Sequence, residues 1–272
     1  MRISYFSLHM RILILGIIFL LGQLAPSEGA PLHFVQISDP HIGGGADHAE
    51  RLSKAVALIN RLPFKISCVL LTGDLGRDNL DKPEQMAQLT NILARLKVPV
   101  HAVPGNHDIP LKRFASSLQA YTNAFGPLLN RAEYQGMVFL FMFDEPLRNT
   151  DYQEKMRDFK PLNWLKNELA AAQTNPVILV QHSPCVTDFY RNSMHSTWDE
   201  KNARRWNALV NDYHVSAVLA GHFHRDELHW TGDVPIYVAE PLAGYYNRQG
   251  AFRIYTWEDG HLSYNTVYLD EK

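Results

Sequence analysis

The chain has 272 residues, 46% of them hydrophobic and 20% charged, with a formal net charge of −2 at pH 7. That apolar content supplies a substantial core and excludes a disordered or fibrous chain. The near-neutral balance, without a long basic run, excludes a nucleic-acid scaffold role, because such affinity rests on many cations meeting phosphates. A small phosphorylated substrate stays compatible with it.

The amino terminus reads as a leader. Arg2, His9 and Arg11 precede the apolar run ILILGIIFLLGQLA, and PSEGAP follows. A basic start, a short apolar run and small residues at a cut site make a secretory signal, with cleavage expected after Gly29. The run is shorter than the roughly 20 residues of a spanning helix, so no stable membrane span is expected. Residues 1–29 are thus expected to be a signal peptide and residues 30–272 one domain, exported to the periplasm or beyond the cell.

Past residue 32, short apolar runs alternate with helical periodicity. LHFVQI predicts a strand, and Leu52, Val56, Ile59 and Leu62 on one face predict a helix over 48–62. ISCVLLT predicts a second strand. In the helix after it, Asp81 is the expected cap, Pro83 lies in the first turn, and Met86, Leu89, Leu93 and Leu96 face inward. VHAV predicts a third strand, and residues 111–133 and 144–160 read as loops or caps. MVFLFMF, VILVQ and VSAVLA predict later strands, separated by helices near 162–172 and 198–213. After His224, DELHW, PIYVAE, AFRIYTW and LSYNTVYL are closely spaced strands without helices. A helix-flanked, largely parallel half leading into an antiparallel end predicts two sheets packed face to face with helices outside.

Cys68 and Cys185 are the two cysteines. Cys68 lies six residues before Asp74, about 20 Å back along its strand. Cys185 falls just past the end of another strand, so the Cα atoms are expected well beyond the ~7 Å limit for a disulfide. Two free thiols are expected, Cys68 in the core and Cys185 near the site but not a ligand.

Polar residues gather at the carboxyl ends of the predicted strands. ISDPH supplies Asp39 and His41, LTGD supplies Asp74, and VPGNHD supplies Asn106, His107 and Asp108. LVQHSP supplies His182, and LAGHFH supplies His222 and His224. In open α/β sheets ligands bind where strand ends converge, so residues scattered along the chain can share one pocket. Asp39, His41, Asp74 and His224 are expected to hold one ion, and Asp74, Asn106, His182 and His222 another. Asp74 serves twice because a carboxylate has two oxygens and can bridge two cations about 3.5–4 Å apart. Imidazole and oxygen without thiolate point to two divalent ions of manganese, iron or zinc.

In order, the blocks DPH, GD, GNHD, QHSP and GHFH resemble the calcineurin-like metallophosphoesterases, and the resemblance extends over residues 32–243. It implies a four-layer α/β/β/α sandwich of two mixed sheets, with the metal site at the carboxyl ends of the strands. It also implies metal-dependent phosphoester hydrolysis by a metal-bridging hydroxide. The short GD…GNHD form with GHxH looks most like small bacterial phosphodiesterases related to cyclic-nucleotide hydrolases. His107 matches the family's histidine near the leaving group. Protein serine/threonine phosphatases orient that histidine with an aspartate where this chain has Arg77, so Asp78, Asp108 or a backbone carbonyl is left to do so. Arg77, Tyr190, Arg191, Arg225 and Tyr245 are candidate substrate contacts. A nucleotide pyrophosphatase, a phosphomonoesterase, a phospholipid-headgroup hydrolase and a metal-free protein-binding relative are the alternatives.

Overall fold

The structure, a computed structural model, describes residues 30–192, 195, 198–246 and 248–269. The expected leader lies outside the described residues. β1 (Leu32–Ile37), β2 (Val69–Thr72) and β3 (Val100–Val103) run parallel, and β10 (Ala251–Glu258) and β11 (His261–Tyr268) add to them antiparallel. The five-stranded sheet has the order β11-β10-β1-β2-β3.

The second sheet has six strands. β5 (Met137–Met142), β6 (Val177–Val180), β7 (Ala217–Ala220) and β9 (Val234–Val238) are parallel, with β4 (Leu129–Tyr134) and β8 (Glu227–Thr231) antiparallel at the edges.

Alternation along each strand divides the core into three layers. Leu32 and Phe34 of β1 meet Phe139 and Phe141 of β5 and Ile178 and Val180 of β6 between the sheets. Val35 and Ile37 turn the other way, toward α1 (His48–Ile59) and α2 (Pro83–Leu93). Val138, Leu140 and Met142 turn outward onto α6 (Pro161–Ala172) and α7 (Glu200–Asp212). Helix, sheet, sheet and helix therefore stack as the four expected layers. Strands buried on both faces read as continuous apolar runs for this reason.

Polar ties cross the middle layer. Gln36 on β1 donates to the Ala220 carbonyl at 2.9 Å and to Thr72 Oγ1 at 3.0 Å, and accepts from Tyr255. Arg253 on β10 donates to the Val238 carbonyl at 2.7 Å. Satisfied buried polar groups favour one register of the two sheets over slipped ones.

Four sequence expectations are corrected. Residues 111–133 are not a loop: they hold a short 3-10 turn, α3 (Phe114–Phe125) and β4. Residues 144–160 contain α4 (Glu145–Arg148) and α5 (Thr150–Lys155). Asp81 does not cap α2. It accepts from Ser116 and pairs with Arg113 at 3.1 Å, tying the start of α2 to α3. The helix predicted over 48–62 ends at Ile59. Cys68 and Cys185 are free and buried, Cys68 between the sheets and Cys185 in the layer between the second sheet and its helices.

Candidate metal centre

Three of the parallel strands that reach the site, β1, β2 and β7, end in left-handed turns. Asp39, His41, Asp74, His222 and His224 have φ between 45° and 70°. Aspartate and histidine tolerate this left-handed region better than most residues, yet each such position costs on the order of 1–3 kcal/mol and persists only where its surroundings hold it.

Here the loops hold one another. His41 N–H donates to the Asp74 carbonyl at 3.0 Å, Asp39 N–H to Gly73 at 3.1 Å, and Gly221 N–H to His182 at 2.9 Å. His222 N–H donates to Asp39 Oδ2 at 3.2 Å. Gly105 leaves no room for a side chain, since a Cβ there would collide with Asp74 Oδ1 and lie 2.5 Å from its backbone nitrogen.

Two groups of donor atoms result. Asp39, His41, Asp74 and His224 each bring an atom within 4.8 Å of the others, and Asp74, His182 and His222 do the same. Asn106 joins the second group, its Oδ1 lying 3.2 Å from His182 Nε2. Asp74 Oδ2 stands between the groups, 3.7 Å from His41 Nε2 and 3.4 Å from His182 Nε2. Its Oδ1 accepts from the His107 N–H at 2.9 Å. One oxygen of Asp74, rather than two, therefore faces both groups.

The residues fit a pair of cations. Asp39 Oδ1 is buried without a hydrogen-bond partner among the described residues, though it is 3.2 Å from His224 Nε2. His41 Nε2 and His224 Nε2 face each other at 3.2 Å, as do His182 Nε2 and His222 Nδ1. An unpaired buried acceptor costs about 1–3 kcal/mol, which a cation among these atoms would remove. His182 Nδ1 donates to the Thr72 carbonyl at 2.8 Å, a contact that fixes the tautomer and leaves Nε2 for coordination.

Electrostatics divides the imidazoles. Burial pushes His41 down to about 4 against the pull of Asp74 and Asp39. Burial and neighbouring His182 also hold His222 well below the usual range. His182 goes the other way: burial lowers it, but the carboxylates of Asp74, Asp39 and Asp144 together raise it well above the usual range.

His107 stands beside the first group, its ring 5.2 Å from that of His41. Its Nδ1 is 2.9 Å from Asp78 Oδ1, and its Nε2 is 3.3 Å from Arg77 Nη1. Of the three orienting partners expected, the geometry selects Asp78. The expectation for Asp108 is corrected, because its two oxygens accept from backbone N–H groups and not from the His107 ring. Fully buried, it accepts from Gly105 N–H at 2.8 Å and Gly76 N–H at 2.9 Å and braces the two loops together.

A cavity of about 400 Å³ lies over the centre, with Arg77, His107, His195, Tyr245 and Tyr246 on its walls. A second, of about 520 Å³, shares Asn106, His107 and His222 with it and is walled by Lys112, Arg113, Arg148 and Tyr152. Tyr245 stacks on His224 with ring centroids 4.6 Å apart. Tyr190, Arg191 and Arg225, expected as substrate contacts, line neither cavity. Arg225 instead lies over the Tyr190 ring, 3.9 Å from its centroid.

Sequence reasoning passed over three residues. Asp144, fully buried, accepts from the His182 N–H at 3.1 Å and the Ser183 N–H at 2.9 Å and so sets the His182 loop. Its signal was available, since it follows β5 much as Asp39 follows β1. Asp188 and His195 form a 2.6 Å pair beside His222, in a stretch without periodicity to mark it.

Three kinds of similarity accompany this geometry. The family model for calcineurin-like phosphoesterase matches residues 32–226. A Rhodopseudomonas palustris protein named "Probable cyclic nucleotide phosphodiesterase" is 28% identical over 241 residues, covering 85% of this chain and 83% of its own. A human serine/threonine-protein phosphatase is 25% identical over 226 residues, covering 72% and 70%. Among solved structures, a dimetal phosphatase from Danio rerio superposes with a TM-score of 0.63 at 15% identity, over 87% of this chain and 98% of that one.

Proposed function

The chain belongs to the calcineurin-like phosphoesterase family, and within it we propose an exported phosphodiesterase that works with two divalent metal ions. It is a metallophosphoesterase by family. The observation that carries the two-ion reading is Asp74, whose single Oδ2 faces both donor groups.

Asp39, His41, Asp74 and His224 would hold one ion, and Asp74, Asn106, His182 and His222 the other. When bound, such a pair supplies Lewis acidity to the phosphoryl group and draws the pKa of water from about 15.7 toward about 7. The charge of Asp74 reduces repulsion between the two cations. His107 has Nδ1 turned to Asp78 and Nε2 accepting from Arg77 here; with Arg77 turned to a phosphoryl oxygen and Nε2 protonated, it would be the proton donor to the departing oxygen, a contribution of about 10²–10⁴-fold. Arg77 adds a fixed positive charge beside that nitrogen, suited to phosphoryl oxygens. Manganese, iron and zinc all suit the donor set.

Two cavities meeting at Asn106, His107 and His222 support a diester, which carries a substituent on each side of phosphorus. The relative named as a cyclic nucleotide phosphodiesterase supports the same reading. The phosphatase relative favours the second reading, a monoesterase. Purified protein reconstituted with each metal, given an aryl phosphodiester and the matching monoester, tests the choice. A higher kcat/KM on the diester is expected, and a monoester preference would overturn it. Export rests on the leader pattern of residues 1–29, and a mature chain beginning at Ala30 is expected from amino-terminal sequencing of the exported protein. Retention of residues 1–29 would contradict it.

A further inference from the structure

The cavity over the metal centre is flanked by two histidines outside the ligand groups, and they are built alike. His107 lies 5.2 Å, ring to ring, from His41, and His195 lies 5.3 Å from His222. Each has an aspartate at Nδ1: Asp78 at 2.9 Å for His107, Asp188 at 2.6 Å for His195. Asp188 is 2% exposed and is itself fixed by the backbone N–H groups of Tyr190 at 2.7 Å and Asn192 at 3.2 Å.

With Nδ1 committed to Asp188, Nε2 is the nitrogen His195 has left for the cavity it lines. No described residue makes a hydrogen bond to it. A purely structural role explains this poorly. The His195 ring stacks on Phe223 at 5.0 Å, which a phenylalanine would do as well, without burying a carboxylate to steer it.

We propose that His195, oriented by Asp188, is a second substrate-contacting histidine, placing Nε2 against an oxygen of the phosphoester on the His222 side of the cavity. His107 does the same on the His41 side. The inference rests on the phosphoesterase reading above. Asp188 acts through His195 and is a positioning residue.

Two replacements separate the ring nitrogens. Asn reaches about as far as Nδ1, and Gln about as far as Nε2. With manganese-reconstituted protein and an aryl phosphodiester, His195→Asn is expected to lower kcat/KM about 10–100-fold while both ions stay bound. His195→Gln is expected to recover most of that loss. Asp188→Asn should lower kcat more than it raises KM, again with metal content unchanged. Wild-type kinetics in His195→Asn, a loss that follows metal content, or His195→Gln as impaired as His195→Asn would each overturn the proposal. A wild-type protein that cleaves no phosphoester with any of the three metals would sink the phosphoesterase reading, and this proposal with it.

Discussion

His107 sits between opposite charges, with the Asp78 carboxylate on Nδ1 and the Arg77 guanidinium near Nε2. In the proposed role of proton donor it would matter most where the leaving oxygen is a strong base. His107→Ala is therefore expected to keep both ions, to cost about 10²–10⁴-fold on alkyl diesters, and to cost less on activated aryl diesters. Equal losses across a series of leaving groups would contradict the assignment. Metal binding and protonation also compete for the imidazoles. His41, held at about 4, has shed its proton long before neutrality, whereas His182, raised by Asp74 and its neighbouring carboxylates in spite of burial, has not. The affinity of the group containing His182 should thus climb with pH through neutrality, by at most about tenfold per unit below its raised pKa. The His41 contribution to the other group should be flat there. Calorimetric titration of the metal-free protein across that range would show two events with different pH slopes, and matching slopes would count against this division. At this scale the sequence was informative about which side chains gather into the two donor groups, because each falls within a few residues of the end of an apolar strand. It was uninformative about Tyr190, Arg191 and Arg225, whose placement depends on how rim loops pack.

Secondary elements differ in how openly the sequence declares them. β1, β2, β5, β6 and β7 are buried on both faces, so their apolar runs were plain. β4 lies at a sheet edge, half exposed along its length, and its sequence LNRAEY shows no strong alternation. It reaches β5 through Gln135 and Gly136, both at positive φ, the backbone of a tight hairpin. In α3, Phe114, Leu118, Tyr121 and Phe125 do follow helical spacing, but Ser116, Ser117, Thr122 and Asn123 dilute it. Tyr121 gives this helix a test: its ring is buried, and its hydroxyl has no partner among the described residues. Tyr121→Phe should leave stability unchanged or raise it by up to about 1 kcal/mol, and a loss of more than that in chemical denaturation would reveal a hidden partner. Phe139 offers the contrast. Buried between the sheets and edge-on to Phe34 at 5.0 Å, its replacement by Ala should cost about 3–5 kcal/mol.

Across the whole molecule, the sandwich exists to bring strand ends from two sheets to one place. β1, β2 and β3 deliver Asp39, His41, Asp74 and Asn106, while β6 and β7 of the other sheet deliver His182, His222 and His224. The order of blocks in the sequence made this layering legible, because residues so far apart could share ions only if both sheets pointed their carboxyl ends at one cavity. The cost is a crowded centre of strained backbone and facing imidazole nitrogens, which cations would relieve. Metal should therefore stabilise the fold by mass action, raising the thermal midpoint as free manganese, iron or zinc rises above its dissociation constant. The most direct test counts ions. Elemental analysis of reconstituted protein should find two per chain in the wild type, and Asp74→Ala, which removes the shared oxygen, should lose both together with turnover. One ion per chain in the wild type, or two retained by Asp74→Ala, would contradict a centre built around Asp74.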